Sequence, residues 1–144
     1  MKKKIIIGYT TGVFDLFHVG HVNILKKAKS LCDKLIVGVS KDKLVFKYKK
    51  KYPVIPEKER LEIIKHNKFV DYAIYQNSLN KFMNYKKLKF DIMFVGDDWY
   101  STNKWRELDK KFETLNVKII YLPYTKSTSS TKINNILNKF RRKN

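Results

Sequence analysis

The chain has 144 residues, of which 43% are hydrophobic and 14% aromatic. This length fits a single domain, residues 1–144, that can bury most of its apolar surface, and the apolar content excludes an intrinsically disordered chain. Lys and Arg total 32 against 13 Asp and Glu, a formal charge of +19, which predicts attraction of polyanions, nucleotides included.

The charge alone does not predict a nucleic-acid reader. The basic residues are mostly lysines scattered through every segment, whereas groups that read bases are more often arginines. We therefore expect no specific nucleic-acid partner, although a non-enzymatic polyanion-binding or nucleic-acid-binding module stays open as an alternative. Cys32 is the single cysteine, which predicts no intrachain disulfide and a cytoplasmic protein, and no apolar run is long enough to predict a membrane span.

Strand and helix patterns alternate along the chain. Short apolar runs predict five strands, at 5–9, 34–39, 70–75, 91–95 and 117–122. Helical patterns are predicted at 18–31, 56–67, 78–88, 102–115 and 129–140, and residues 41–55 read as a basic, irregular connection. Ser78 is predicted to cap the third of these helices, and the last helix is predicted to turn Ile133, Ile136, Leu137 and Phe140 inward. The alternation predicts an α/β fold with a Rossmann-like, doubly wound, five-stranded parallel sheet.

The stretch from Thr10 to His21, TTGVFDLFHVGH, follows the first strand and holds two of the three histidines. His18 and His21 are three residues apart, so both imidazoles are predicted on one face of a helix's first turn, with Gly12 supplying the permissive turn before it. Imidazole donors and free backbone N–H groups at the positive end of a helix favour a phosphate site. A zinc site is less favoured because the chain lacks the accompanying ligands.

A second predicted helix start faces the same edge of the sheet. Residues 124–132, YTKSTSSTK, are rich in hydroxyls, and Ser129 is the predicted N-cap. Ligands of doubly wound sheets sit beyond the carboxyl ends of the strands, which places residues 10–21, 41–55, 96–99 and 125–131 on one rim. Two helix N-termini can then share one triphosphate.

Four motifs in order carry a resemblance to a known superfamily. FDLFHVGH resembles the HxGH signature of nucleotidyltransferases, and Lys68-Phe-Val-Asp71, Gly96-Asp-Asp-Trp99 and Ser129-Ser-Thr-Lys-Ile133 are similar to the RYVDE, GDDW and ISTTKI segments of cytidylyltransferases. Together they look most like the bacterial glycerol-3-phosphate cytidylyltransferases, over residues 4 to 137. Three positions depart from that pattern, with Tyr124 where the relatives have Arg, Lys68 in place of the Arg of RYVDE, and Val13 in place of the Thr of the GTFD turn.

The resemblance implies transfer of CMP from CTP to sn-glycerol 3-phosphate, giving CDP-glycerol and pyrophosphate. It also implies Mg²⁺ bridging the phosphates, with CTP and a small phosphate ester as partners and a homodimer as the assembly. The alternatives are a cytidylyltransferase for another phospho-alcohol, such as phosphoethanolamine or phosphocholine, and an adenylyltransferase of the same fold.

Site residues are implied position by position. His18 and His21 are the expected catalytic residues, stabilising charge on the transferred phosphate. The acceptor is expected at Asp15, Lys49 and Lys81, and Lys47 or Lys50 could take the part of a neighbouring lysine because the basic loop is one residue longer than in the relatives. No protein-built metal site is expected. CTP is expected to contact Val13, Phe14, His18, His21, Lys51, Asp97, Tyr124, Thr125, Lys126, Ser129, Ser130 and Thr131.

Overall fold

A parallel sheet forms the centre of the molecule. The computed structural model describes residues 3–96, 103–125 and 127–141. In this part of the chain five strands pair in the order β3-β2-β1-β4-β5, all parallel. The strands are β1 (Ile7–Gly12), β2 (Lys34–Ser40), β3 (Tyr72–Gln76), β4 (Ile92–Gly96) and β5 (Lys118–Leu122). This confirms the predicted Rossmann-like, doubly wound α/β fold.

Helices connect the strands and cover the sheet. Among the described residues these are α1 (Val19–Ser30), α2 (Asp42–Lys49), α3 (Glu57–Lys65), α4 (Lys81–Leu88), α5 (Asn103–Thr114) and α6 (Ser130–Arg141). Within the same residues no helix is both long enough and apolar enough to cross a bilayer.

Both faces of the sheet are packed. One face buries aliphatic side chains of β2 against α1 and α3, with Leu25, Leu35, Val37 and Ile64 fully enclosed. The other buries aromatic side chains against α4 and α5, where Tyr9 stacks on Phe90 at 4.9 Å and Phe112 lies beneath Phe82. Because the strand order reverses between β1 and β4, the crevice at the topological switch point lies above the carboxyl end of β1.

The prediction that residues 41–55 are irregular is wrong for their first half. Asp42–Lys49 forms helix α2, which buries Leu44 and Val45 and ends at Lys50 in the left-handed conformation (φ 59°). Four lysines within the helix and at its end made the segment look like a solvated linker, but two adjacent buried apolar residues are enough to dock a short helix.

Two further local predictions are also wrong. Ser78 does not cap α4, because Asn80 is the N-cap and accepts hydrogen bonds from the N–H groups of Phe82 and Met83. The apolar face of α6 does not turn fully inward, since Ile133 is partly buried but Ile136 and Phe140 are 54% and 67% exposed. Leu137 is also exposed.

Candidate active site

The turn between β1 and α1 is held in an uncommon backbone conformation. Phe14 and Leu16 adopt left-handed φ angles of 55° and 50°, whereas no glycine has a positive φ among the described residues. The prediction that Gly12 supplies the conformational freedom is therefore wrong. Gly12 serves packing instead, because a Cβ there would lie 3.0 Å from the Phe14 ring. Left-handed non-glycine residues cost about 1–3 kcal/mol each and persist where surrounding contacts enforce them.

Asp15 supplies those contacts. Its Oδ1 accepts hydrogen bonds from the N–H groups of Leu16 at 3.1 Å and Ile55 at 2.9 Å, and its Oδ2 accepts one from Val54 at 2.8 Å. The carboxylate thus ties the segment before α3 to the β1–α1 turn. This places Asp15 on the rim as predicted, although its oxygens serve the backbone here and its contact with an acceptor stays a prediction.

The two histidines form the start of α1. His18 is the N-cap, and its Nδ1 accepts a hydrogen bond from the Gly20 N–H at 3.0 Å. His21 reaches back, and its Nδ1 accepts from the His18 N–H at 3.2 Å. The rings stack with centroids 3.9 Å apart, which confirms that both lie on one face of the first turn. The expectation of free backbone N–H groups at this helix start is wrong in part, because the imidazoles themselves occupy those of His18 and Gly20.

This capping arrangement fixes the tautomer of both rings. A nitrogen that accepts a hydrogen bond carries no proton, so a neutral imidazole bonded through Nδ1 carries its proton on Nε2. Burial lowers the pKa of His18. Burial, reinforced by the neighbouring His18 and opposed by Asp15, lowers the pKa of His21 to about 4. Near neutral pH the pair therefore offers two Nε2–H donors without charge.

Aromatic side chains account for the burial of His21. The Phe14 and Phe17 rings each lie 5.3 Å from the His21 ring, one edge-on and one stacked. With His18 on a third side, little water reaches the ring, so the charged form is disfavoured. The same contacts hold the imidazole in one orientation.

The β5–α6 connection packs directly against this helix start. The Asn23 side chain donates to Thr125 Oγ1 at 3.0 Å, and the Ser130 hydroxyl donates to the Asp15 carbonyl. Gly20 permits the approach, because a Cβ there would lie 2.7 Å from the His18 ring and 3.5 Å from Thr125 Cβ. The start of α6 thus lies beside the start of α1, as expected.

The predicted cap of α6 is confirmed. Ser129 Oγ accepts from the Lys132 N–H at 3.0 Å, which leaves Ser130 and Thr131 in the first turn. Thr131 and Tyr124 are exposed, and Ser129 and Ser130 are partly buried. The hydroxyls of this segment therefore border the same crevice as the histidines.

Lysines from two other elements reach the rim. Burial and the nearby Lys51 lower the pKa of Lys49, while the Asp15 carboxylate opposes the shift, so these three side chains lie within electrostatic reach of one another. At the start of α4, the Lys81 ammonium donates to Thr11 Oγ1 on β1 at 3.1 Å. Burial, followed by the charge of Lys104, lowers the pKa of Lys81 to about 8. The negative charge of an incoming phosphate would oppose both effects and favour the protonated ammonium.

Arg60 is an organising residue that the sequence reasoning missed. Its side chain on α3 is fully buried, and its Nη1 donates to the carbonyls of Val13 at 2.7 Å and Ser40 at 2.8 Å. Nη2 contacts Asp42 Oδ1 at 2.6 Å, and Nε donates to the Ile55 carbonyl at 2.8 Å. One guanidinium thereby joins the β1–α1 turn, the end of β2, the start of α2 and the approach to α3. The only sequence signal is a single arginine, in a chain whose other basic residues are nearly all lysines.

Most of the predicted site residues lie on this rim. The turn contributes Val13, Phe14 and Asp15, and the other elements contribute His18, His21, Lys49, Lys51, Lys81, Tyr124, Thr125, Ser129, Ser130 and Thr131. Asp97 and Lys126 lie outside the described residues. The roles assigned to all of these side chains remain predictions.

Comparison with known proteins gives consistent relatives. The sequence profile of the family described as cytidylyltransferase-like matches residues 9–136. The chain is 36% identical over 140 residues to a protein named FAD synthase from Thermococcus sibiricus, which covers 96% of this chain and 94% of the relative. It is 35% identical over 144 residues to the FAD synthase of Pyrococcus horikoshii, covering 96% and 92% of the two chains. Among solved structures, a lipopolysaccharide core biosynthesis protein from Thermoplasma volcanium is similar with a TM-score of 0.72 and 31% identity, covering 87% of this chain and 100% of the other.

These relatives correct the substrate prediction. The expected transfer of CMP to sn-glycerol 3-phosphate is wrong, because four curated relatives at 34–36% identity are all named FAD synthase rather than glycerol-3-phosphate cytidylyltransferase. CTP and CDP-glycerol lose their support with it. The alternative of an adenylyltransferase on the same fold is the one that the relatives favour, and the homodimer stays a prediction.

Proposed function

This chain belongs to the cytidylyltransferase-like family, and from that membership we propose that it is an FMN adenylyltransferase, which joins ATP and FMN into FAD and releases pyrophosphate. The observation that carries the proposal is the 36% identity to an FAD synthase over almost the whole of both chains. The paired, neutral imidazoles at the start of α1 supply a physical basis for adenylyl transfer.

The proposed reaction is a single displacement at phosphorus. A phosphate oxygen of FMN attacks the α-phosphorus of ATP and forms the new P–O bond, while the bond from the α-phosphorus to the bridging oxygen of the β-phosphate breaks. The electron pair of that bond leaves with pyrophosphate. Because the attacking phosphate is already anionic, the step requires positioning and charge stabilisation rather than an enzyme nucleophile.

His18 and His21 are the proposed catalytic residues. Their Nδ1 atoms are engaged by the helix backbone, so each ring presents its Nε2–H outward in a fixed direction. Donors held in place before the reaction stabilise developing charge on the α-phosphate oxygens and the leaving pyrophosphate without reorganisation. The hydroxyl of Thr131 and the N–H groups at the start of α6 are proposed to hold the remaining phosphate oxygens, while Ser130 donates to the Asp15 carbonyl and fixes the helix start beside the turn.

The lysines are proposed to neutralise the two sets of phosphates. Lys81 carries a partly desolvated ammonium beside β1, and we assign it to the phosphate of FMN. Lys49 and Lys51, close to Asp15, lie at the entrance to the same crevice. Bringing two polyanions together is unfavourable in water, so a crevice that supplies cations from α2 and α4 lowers the cost of assembling the complex.

The described residues do not form a protein-built magnesium cage. Within the ranges that the structure covers, no three His, Cys, Asp or Glu side chains converge on one point. The Asp15 carboxylate in the β1–α1 turn is already bound to three backbone N–H groups. Mg²⁺ is proposed only as an ion carried by the substrate phosphates, in keeping with its preference for phosphates, water and few protein ligands.

The proposal is tested by supplying the purified protein with each of ATP, CTP, GTP and UTP together with FMN, glycerol 3-phosphate or phosphocholine. Pyrophosphate release is measured enzymatically, and FAD is identified by chromatography. We expect pyrophosphate and FAD in equal amounts with ATP and FMN alone. Turnover of CTP with a phospho-alcohol, and none with ATP and FMN, would refute the proposal.

The histidine roles have their own test. His18→Ala and His21→Ala are each expected to lower kcat by about 10²- to 10³-fold, the usual cost of removing one preorganised donor. His66→Ala is the matched control, since this third histidine is exposed at the end of α3. Thermal unfolding of each variant separates lost catalysis from lost folding, and wild-type turnover in both variants would remove the assignment.

A further inference from the structure

A cavity of about 530 Å³ opens at the carboxyl edge of the sheet, between α2 and the segment after β3. This volume lies within the range of small-molecule sites, about 300–1,000 Å³. A larger hollow of about 620 Å³ sits at the opposite, amino-terminal edge among charged side chains of α5, away from the rim. The first cavity, which we call the α2 cavity, is lined by Lys43, Leu44, Lys47, Tyr48, Asn77, Ser78, Leu79 and Asn80.

The walls of the α2 cavity suit a flat, partly apolar ligand. Leu44, Tyr48 and Leu79 supply apolar surface, and the amides and hydroxyl of Asn77, Ser78 and Asn80 supply hydrogen-bonding groups. Tyr48 and Leu79 both line the cavity and are 41% and 39% exposed, so both offer apolar surface to a ligand. Exposed aromatic and aliphatic surface around a concave site is typical of ligand binding.

The hydroxyl end of Tyr48 lies beside a buried polar pair, Ser40 and Gln76. Burial raises the pKa of the Tyr48 hydroxyl, and Ser40 and Arg60 oppose that shift, so the hydroxyl lies close to the end of β2, where the Ser40 hydroxyl donates to Gln76 Oε1 at 2.7 Å. Ser40 and Gln76 are both 2% exposed, and they end the neighbouring strands β2 and β3. An exposed ring whose hydroxyl end is buried beside such a pair loses little freedom on binding, which makes it an effective stacking surface.

The α2 cavity also adjoins both lysines assigned to the acceptor. The Lys49 ammonium lies 5.9 Å from the centroid of the Tyr48 ring, and Lys81 follows Asn80 directly in the chain. Lys81 contacts β1, whereas the cavity borders β3, two strand spacings or about 10 Å away. The five-carbon ribityl chain that separates the phosphate of FMN from its rings spans a comparable distance.

We propose that the α2 cavity holds the planar ring system of the phosphate acceptor, with one face of that ring system against Tyr48. On the function proposed above, on which this inference rests, the ring system is the isoalloxazine of FMN. The ligand then runs from the cavity past Asn80 to Lys81, and its phosphate meets the nucleotide at the histidine pair. Acceptors without an aromatic group would gain nothing from the cavity.

The test compares the KM values for FMN and for ATP in variants of the cavity. Tyr48→Ala is expected to raise the KM for FMN by about 3- to 10-fold, the usual contribution of an aromatic pair. Tyr48→Phe, which keeps the ring, is expected to lose less. Leu79→Trp narrows the cavity with a bulky ring and is expected to raise the KM for FMN more than Tyr48→Ala does, with the KM for ATP unchanged in all three. Tyr72→Ala is the matched control, since this exposed tyrosine lies at the start of β3, the end of the strand away from the cavity.

Quenching of flavin fluorescence gives the FMN affinity directly and should weaken in parallel. An unchanged KM for FMN in both Tyr48→Ala and Leu79→Trp, with wild-type FAD synthesis intact, would overturn the cavity assignment and leave the proposed function standing. An equal rise in the KM for ATP would also overturn it, because the cavity would then serve the nucleotide. A wild-type protein that forms no FAD from ATP and FMN would overturn the proposed function itself.

Discussion

Replacing Arg60 by methionine should show how strongly one buried side chain holds the rim together. Methionine fills much of the same volume but donates no hydrogen bond, so the carbonyls of Val13, Ser40 and Ile55 and the carboxylate of Asp42 all lose the guanidinium donor, and Asp42 keeps only the bond from the Glu57 N–H at 3.4 Å. Removing one member of a buried ion pair costs about 3–5 kcal/mol. Asp42 keeps 28% exposure and can recover some hydration, which argues for the lower half of that range. Even the lower value is a large part of a typical domain stability of about 5–15 kcal/mol.

Urea unfolding followed by circular dichroism measures the effect in Arg60→Met and in the control Arg106→Met, which alters an exposed residue of α5. We expect the control to stay within about 0.5 kcal/mol of wild type. Arg60→Lys should recover part of the loss, because one ammonium can satisfy some but not all four acceptors. A loss below about 1 kcal/mol in Arg60→Met, the value of one ordinary hydrogen bond, would refute the view that this guanidinium organises the site.

Three further substitutions test the rim. His21 has a pKa of about 4 in the folded protein against an ordinary value of 6.5, so its contribution to stability is complete above pH 6.5 and is lost as the pH falls towards 4, by about 3 kcal/mol at most. Urea unfolding between pH 7 and 4 should show that the free energy of unfolding depends less on pH in His21→Gln than in the wild type. An identical dependence would contradict the assignment. Lys81→Met should raise the KM for FMN, and Lys87→Met, which changes an exposed lysine of the same helix, is the control. In the wild type the KM for FMN should rise as the pH passes about 8 and the Lys81 ammonium loses its proton. A KM that does not change with pH would argue against a phosphate contact. Asp15→Asn weakens the charge-assisted bonds to Val54 and Ile55 and should lower the free energy of unfolding by about 1.5–3 kcal/mol. Residues 50–55 should also be cleaved faster by proteases in this variant. Unchanged proteolysis would count against this role of Asp15.

The sheet was readable from sequence because its strands are short apolar runs. Parallel strands that are covered on both faces need no polar alternation, so segments such as Lys34–Ser40 stand out from a lysine-rich background. The order of strands and the crevice above β1 then follow from general rules of doubly wound sheets. The two histidines were placed correctly because a spacing of three on a helix start puts both rings on one face.

Features that depend on tertiary contacts could not be predicted from the sequence. Composition cannot show that Leu44 and Val45 dock a helix among lysines, or that Arg60 lies inside rather than on the surface of α3. The sequence predicts a permissive turn at Gly12, because glycine is the usual residue where no contact enforces a left-handed conformation. In the structure Phe14 and Leu16 adopt that conformation instead. Here Asp15 enforces it through bonds to Val54 and Ile55, which lie 39 and 40 positions away in the chain.

The error over substrates has a structural reason. His18, His21 and Ser129–Thr131, which carried much of the resemblance, border a crevice whose donors suit phosphate oxygens, and ATP and CTP share those oxygens. Their pattern therefore indicates the class of reaction and does not distinguish one nucleobase or one acceptor from another. The elements that could distinguish acceptors are α2 and the segment 77–80, which line the cavity and lie outside the four motifs. A substitution in that lining, such as Leu79→Trp, should change the choice of acceptor without changing the chemistry, whereas a substitution of either histidine should slow every acceptor alike.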